Sequence, residues 1–152
     1  MTEGQPDHTT DTGILLDTAA RIVVYDRSQI AAALAATAAS GRTVVLIGRL
    51  GGVMGEPWFR RLVADVAAFY PCARFVAVTD CDTAVGFALA ALAEGAVVVR
   101  LQAPPPVLER VRDIAFRSGA MVDDREHSAL DLLFHADPVA ACRAWLALFP
   151  GP

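Results

Sequence analysis

The chain has 152 residues, a formal net charge of −4 at pH 7 and a hydrophobic fraction of 55%. That length suits one domain with a full-sized core. No basic patch stands out, so nucleic acid is not expected as a partner. No apolar run approaches the roughly 20 residues that a membrane-spanning helix needs, so no membrane partner is expected either. Every basic residue is an arginine, which excludes a Schiff-base lysine and a Walker A lysine.

The N-terminal residues 1–13 are polar and lack the basic start of a secretory signal. We predict that they form a disordered lead and that residues 14–152 form a single α/β domain. Three cysteines, Cys72, Cys81 and Cys142, are an odd number at wide spacing, which matches neither a zinc site nor a disulfide framework. A reducing, cytoplasmic location is the expectation that follows.

Short apolar runs that alternate with helix-like segments organise the rest of the chain. The predicted strands are residues 21–25, 43–47, 74–79 and 96–101, with a short fifth strand at 120–122. The predicted helices cover about 29–39, 56–70, 83–94, 106–118 and the stretch from 138 onward.

Three of the apolar runs lack polar alternation, which is typical of strands buried on both faces. Strands that alternate with helices predict a parallel sheet with right-handed connections. The predicted fold class is therefore a single three-layer α/β sandwich, Rossmann-like or flavodoxin-like, with four or five mainly parallel strands and helices on both faces. In such a sheet the loops after the strand C-termini lie in one row, where ligands usually bind.

Acidic residues follow two of the predicted strands. Asp26 comes after the first strand, and Asp80 and Asp82 come after the third. These three are the candidate metal ligands because Mg²⁺ prefers carboxylate oxygens and water, and Asp80 and Asp82 are the candidate catalytic residues. The structural alternative is that Asp82 or Thr83 caps the next helix while Asp80 orders the turn.

A glycine-rich loop follows the second predicted strand and includes Gly55 at its end. Its backbone N–H groups could cradle a small anion, with Arg49 adding positive charge. The spacing matches neither the dinucleotide fingerprint nor the P-loop, and the alternative is a flexible loop with some glycines at positive φ. The candidate ligand-binding residues at this edge of the sheet are Gly48, Arg49, Gly51, Gly52, Asp80 and Gln102.

The segment from Phe75 to Thr83, FVAVTDCDT, resembles the haloacid-dehalogenase-type phosphatases, in which an apolar strand precedes an Asp-x-Asp motif. The resemblance implies Mg²⁺-assisted phosphoryl chemistry at Asp80 and Asp82. The chain departs from the pattern at three points: its threonine follows the second aspartate directly, the later lysine is absent, and the motif lies in the middle of the chain and does not open the fold.

Two further resemblances involve longer stretches. Residues 73–80 and 88–108 resemble response-regulator receiver domains, with Thr79 at the threonine position. The lysine position, near Gln102, is not filled, and the acceptor aspartate falls on Gly48 in one register and on Asp80 in another. The chain from about residue 21 also resembles a group of small uncharacterised bacterial α/β proteins, which implies no activity; the segments that carry this likeness are 56–59, 80–92, 128–133 and 141–146.

Two main function hypotheses follow from these patterns; a third, a dinucleotide- or nucleotide-binding oxidoreductase, lacks the glycine fingerprint. The first is a non-catalytic regulatory or protein-interaction domain, without a resident cofactor, that binds a small anionic ligand at the strand C-terminal edge. The alternative is a Mg²⁺-dependent enzyme acting on a phosphorylated small molecule. In it Asp80 is nucleophile or metal ligand, Asp82 is general acid or base, and Arg49 holds the phosphate. Alanine-rich helix faces with little charge also predict a homodimer.

Overall fold

The structure is a computed structural model and describes residues 8–151. The strands are β1 Ala20–Val24, β2 Thr43–Gly48, β3 Arg74–Asp80, β4 Val98–Arg100, β5 Met121–Asp123 and β6 Leu130–Asp131. The helices are α1 His8–Thr18, α2 Arg27–Ser40, α3 Gly51–Met54, α4 Glu56–Ala67, α5 Val85–Ala93, α6 Pro105–Arg117 and α7 Pro138–Leu146.

All six strands form one sheet in the order β5-β4-β3-β2-β1-β6, and every neighbouring pair is parallel. This arrangement confirms the predicted three-layer α/β sandwich. The strand count differs from the predicted four or five, because β6 also joins the sheet. The strands β5 and β6 at the two ends of the sheet contain three and two residues respectively.

Alternate side chains of the central strands pack into two different cores. Ile22 and Leu46, which are paired in the register of β1 and β2, point towards α2, α4 and α7. Val23 and Ile47, one residue further along each strand, point to the opposite face, where they pack with Leu16 of α1. Both faces of the sheet are therefore buried, as the apolar runs predicted.

The helices divide unevenly between the two faces. Thr79 of β3 donates its hydroxyl hydrogen to Glu56 at the start of α4, and its register partner Val99 packs against α5 and α6. Helices α2 and α4 to α7 therefore share one face, and α1 covers the other. The cause is the strand order: right-handed connections that advance in one direction from β1 to β5 place their helices on one side.

The sheet is strongly curled around α1. Arg21 of β1 forms an ion pair with Asp123 of β5, although β2, β3 and β4 lie between these two strands. Four steps at the usual strand spacing amount to about 19 Å in a flat sheet, which is more than the two side chains can span together. The face that carries α1 is therefore concave, and residues far apart along the sheet meet across it.

Several element ends differ from the prediction. Helix α1 begins at His8, so residues 8–13 belong to a helix and not to a disordered lead; residues 1–7 of that predicted lead lie outside the described residues. Asp26, predicted as a metal ligand, instead caps α2 by accepting from the N–H of Gln29, and Ser28 donates to the same carboxylate. Helix α5 begins after Ala84 without a side-chain cap, so neither Asp82 nor Thr83 caps it.

None of the helices in residues 8–151 is both long enough and apolar enough to cross a bilayer. The longest, α2, has 14 residues.

Candidate functional site

The loops after β2 and β3 open side by side. Gly48 at the end of β2 pairs with Thr79 near the end of β3, and the two strands run in the same direction. The next residues along the chain, Arg49 and Asp80, therefore lie on one rim of the sheet, as the sequence predicted. The N–H of Arg49 also donates to the carbonyl of Val24, 3.0 Å away, which fixes this loop against the end of β1.

Arg49 and Asp80 form the central contact of this rim. Arg49 Nη1 lies 2.9 Å from Asp80 Oδ2, and the N–H of Asp82 donates to the other carboxylate oxygen at the same distance. The Asp80 side chain is only 2% exposed, whereas that of Arg49 is 48% exposed. A buried carboxylate with one hydrogen bond to each oxygen thus holds a half-exposed guanidinium at the surface, and the hydrogen bond from Arg49 raises the pKa of Arg49 further above its usual value.

Tyr25 and Asp131 extend the same rim across β1 and β6. The Tyr25 hydroxyl donates to Asp131 Oδ2 over 3.0 Å. Partial burial and this bond raise the pKa of Tyr25, and the charges of Arg49 and Asp80 also act on it in opposite directions. We call Tyr25, Arg49, Asp80 and Asp131 the rim cluster; each comes from the C-terminal end of one of four adjacent strands.

The other predicted site residues do not join this cluster through their side chains. Asp26 is used as the cap of α2. Asp82, which has a left-handed φ of 51°, accepts through its carbonyl from the N–H of Gln102, and the Gln102 side chain is exposed. Within the described part of the chain no three His, Cys, Asp or Glu residues are grouped so that they could hold a metal ion. The three-carboxylate Mg²⁺ site therefore gains no support.

The glycine loop is shaped by close packing against its surroundings. A Cβ on Gly48 would lie 2.3 Å from the ring of Phe59, and one on Gly52 would lie 2.7 Å from the carbonyl oxygen of Asp80. Gly51 is similarly tight against the Thr79 methyl group, at 2.9 Å. Of the four loop glycines only Gly55 has a positive φ, at 97°. Glycine occupies most of these positions because a side chain would not fit there, and only Gly55 needs the backbone freedom of glycine.

Glu56 is a buried acid that the sequence analysis did not select as a site residue. It is 7% exposed, accepts from the Thr79 hydroxyl, and lies 3.5 Å from the guanidinium of Arg60 one turn later. In the sequence it stands in the first turn of a helix, directly before Pro57. An acid at such a position is usually exposed to solvent and interacts favourably with the helix dipole. Its burial follows from the packing of α4 on β3.

The thiols are structural in character. Cys81 is buried, and its burial, aided by the charges of Asp80 and Glu56, raises its pKa to about 12. Burial also raises the pKa of Cys142, to about 11. Both therefore remain protonated and weakly nucleophilic near neutral pH. The third thiol, Cys72, is exposed, and all three are free.

A buried ionic network lies on the concave face behind the rim. Asp123 is fully buried; one of its oxygens accepts from Arg21 and Arg100, and the other accepts from the N–H of Arg125. Arg21 is itself 2% exposed and also donates to the carbonyl of Leu16. Arg100 thus forms a second ion pair with this carboxylate. This network fixes β5 and α1 against β1.

No protein-family model matches the chain, and no curated protein matches it. The class of the protein is given by its fold, a parallel α/β sandwich with polar residues at the C-terminal ends of its strands.

Proposed function

We propose that the chain is a non-catalytic regulatory or interaction domain that binds a small anionic ligand at the rim cluster, through Arg49. The observation that carries this proposal is the Arg49–Asp80 pair. Asp80 fixes the guanidinium with one of its N–H groups, and the side chain remains half exposed at the loop row where parallel α/β sheets bind ligands. The other guanidinium N–H groups point to no acceptor among the described residues, so a phosphate or carboxylate group would find free donors.

The same geometry argues against a catalytic use of the carboxylates. Both oxygens of Asp80 already accept hydrogen bonds, and Asp26 is engaged at the start of α2. A nucleophilic or metal-binding Asp80 would have to act while its charge is shared with Arg49 and with the N–H of Asp82. The free thiols also agree with the cytoplasmic location that we include in this proposal.

Calorimetric titration with inorganic phosphate, pyrophosphate, AMP and a sugar phosphate tests the anion site. We expect Arg49→Ala to weaken binding by roughly ten- to a hundredfold, since a charge-assisted hydrogen bond contributes about 1.5–3 kcal/mol. Arg61→Ala is the matched control, because Arg61 is an exposed arginine on α4 that pairs with Asp65. Equal binding by Arg49→Ala and the unchanged protein would contradict the proposal.

The same titrations with and without Mg²⁺ separate the binding domain from the enzyme alternative. Our proposal expects no requirement for Mg²⁺. If binding appeared only with Mg²⁺ and disappeared in Asp80→Asn, the carboxylate would be a metal ligand and the Mg²⁺-dependent enzyme would be favoured instead.

We further propose that two copies of the chain associate through the outer face of α5. The alanines of α2 that suggested a dimer surface are largely buried within the chain, including Ala32, Ala33 and Ala36. Helix α5 in contrast contains no charged residue, and its exposed side consists of glycine and alanine bordered by Phe87 and Leu89. An uncharged apolar helix face of this kind is typical of interaction sites.

Light scattering across a concentration series tests this association. We expect a dimer for the unchanged protein and a monomer for Phe87→Glu, because a charge would be buried without a partner. Phe69→Glu is the control, since Phe69 is an exposed phenylalanine just beyond α4. A monomer at every concentration of the unchanged protein would refute the proposed dimer.

A further inference from the structure

A cavity of about 430 Å³ lies beside β3 and shares no lining residue with the rim cluster. Strand β4 pairs with β3 only at Thr79 and Asp80, so the flank of β3 over residues 74–78 has no neighbouring strand on that side. The space where such a strand would continue is the cavity, which we call the β3 notch. Its volume falls within the range of small-molecule sites. Its lining comes from α4 and β3, with Val97 before β4 and Thr12 of α1.

The walls of the β3 notch are mainly apolar. Phe59 and Val63 of α4 form one side, Phe75 and Ala77 of β3 form the floor, and Val97 borders the other side with 62% of its surface exposed. A hydrocarbon group bound here would be removed from contact with water on several sides. Burial of apolar surface contributes a favourable free energy of about 25 cal/mol per Å².

One buried charge, the carboxylate of Glu56, lies in this apolar lining. Its Oε2 accepts from Thr79, and its Oε1 has within the described chain only the 3.5 Å ion pair with Arg60. That separation is longer than a good hydrogen bond. The Oε1 atom can therefore accept a shorter bond from a ligand that enters the notch.

Arg60 limits what can enter. Its guanidinium donates to the carbonyl of Glu94, in the turn before β4, and so bridges from α4 to the opposite wall. An extended peptide added along the β3 flank would have to displace this bridge, whereas a small molecule fits beneath it. Arg60 is 52% exposed and Glu56 only 8%, measured on the side chains. Water and salt therefore screen the Glu56 carboxylate less than the Arg60 guanidinium. The site consequently favours a cation over an anion.

We propose that the β3 notch binds a small amphipathic amine, with its apolar body between α4 and β3 and its ammonium group donating to Glu56 Oε1. Nothing in this proposal depends on the anion site, which uses different residues. The chemistry that defines the ligand is a short hydrocarbon or aromatic body with one amino group at its end.

Titration of ¹⁵N-labelled protein with hexylamine, hexan-1-ol and hexanoate tests the proposal, with the backbone amides of Ala64, Ala77 and Val97 as reporters. We expect hexylamine to shift these amides and to bind roughly tenfold tighter than hexan-1-ol, since a hydrogen bond to a charged group contributes about 1.5–3 kcal/mol. Glu56→Gln should remove that preference, because glutamine retains an acceptor for Thr79 but not the charge.

A second pair of variants keeps the test independent of Glu56. Val97→Ser should weaken hexylamine and hexan-1-ol alike by removing apolar contact, whereas Val53→Ser, at an exposed valine of α3, should change neither. The proposal is overturned if hexanoate binds tightest or if the three probes bind equally. It is also overturned if none of them shifts the notch amides at concentrations up to about 10 mM.

Discussion

Asp123→Asn is expected to destabilise the fold by about 3–5 kcal/mol, the usual cost of removing one partner of a buried ion pair. The substitution preserves shape but leaves Arg21, which is 2% exposed, without its counter-charge, and Arg100 loses the same partner. Denaturant unfolding followed by circular dichroism measures the effect, which should appear as a lower midpoint with an unchanged slope.

Asp65→Asn is the matched control for this substitution. Asp65 pairs with Arg61 one turn away on the exposed side of α4, and exposed pairs of this kind contribute about 0–1 kcal/mol. If Asp123→Asn were as mild as Asp65→Asn, the concave face would be accessible to water and the curl of the sheet would be wrong.

Gly48→Ala is expected to destabilise the protein by about 1–3 kcal/mol or more through overpacking. The new methyl group would lie 2.3 Å from the ring of Phe59, which is itself buried between α4 and the sheet. Unfolding in denaturant measures the loss. In a Phe59→Leu background the same substitution should cost less, and the difference between the two measurements is the coupling energy of the pair.

Gly86→Ala provides the contrasting result. A Cβ on Gly86 in α5 would meet nothing within 4 Å, so alanine should be neutral or stabilising by up to about 1 kcal/mol. If Gly48→Ala behaved like Gly86→Ala, the close approach of the glycine loop to α4 would be refuted.

The central part of the fold could be predicted because its signals are local. Uninterrupted apolar runs at residues 43–47 and 74–79 reflect burial on both faces, and the register of β2 and β3 then places Arg49 and Asp80 on one rim. Glycines at positive φ mark helix ends such as Gly41 in the same local way. Strand β6 escaped prediction because two residues, Leu130 and Asp131, are too few to show any periodicity.

The rest depends on contacts between distant parts of the chain. Arg21 and Asp123 are 102 positions apart, and only the curl of the sheet brings them together. The position of Arg21 at the start of a predicted strand does not reveal that it pairs with Asp123. From the sequence alone it looks like any exposed arginine at the end of a strand. Tyr25 and Asp131 meet for a similar reason, because β6 returns to lie beside β1.

The shortness of β5 and β6 has a consequence for how the folded protein behaves at high concentration. A long free strand edge is a template on which further chains can add and build fibrils, and natural sheets avoid this by keeping their outermost strands short. Here the ends of the sheet offer three and two residues, and the Arg60 bridge spans the opening beside the longer flank of β3. The native state is therefore protected against edge-to-edge polymerisation.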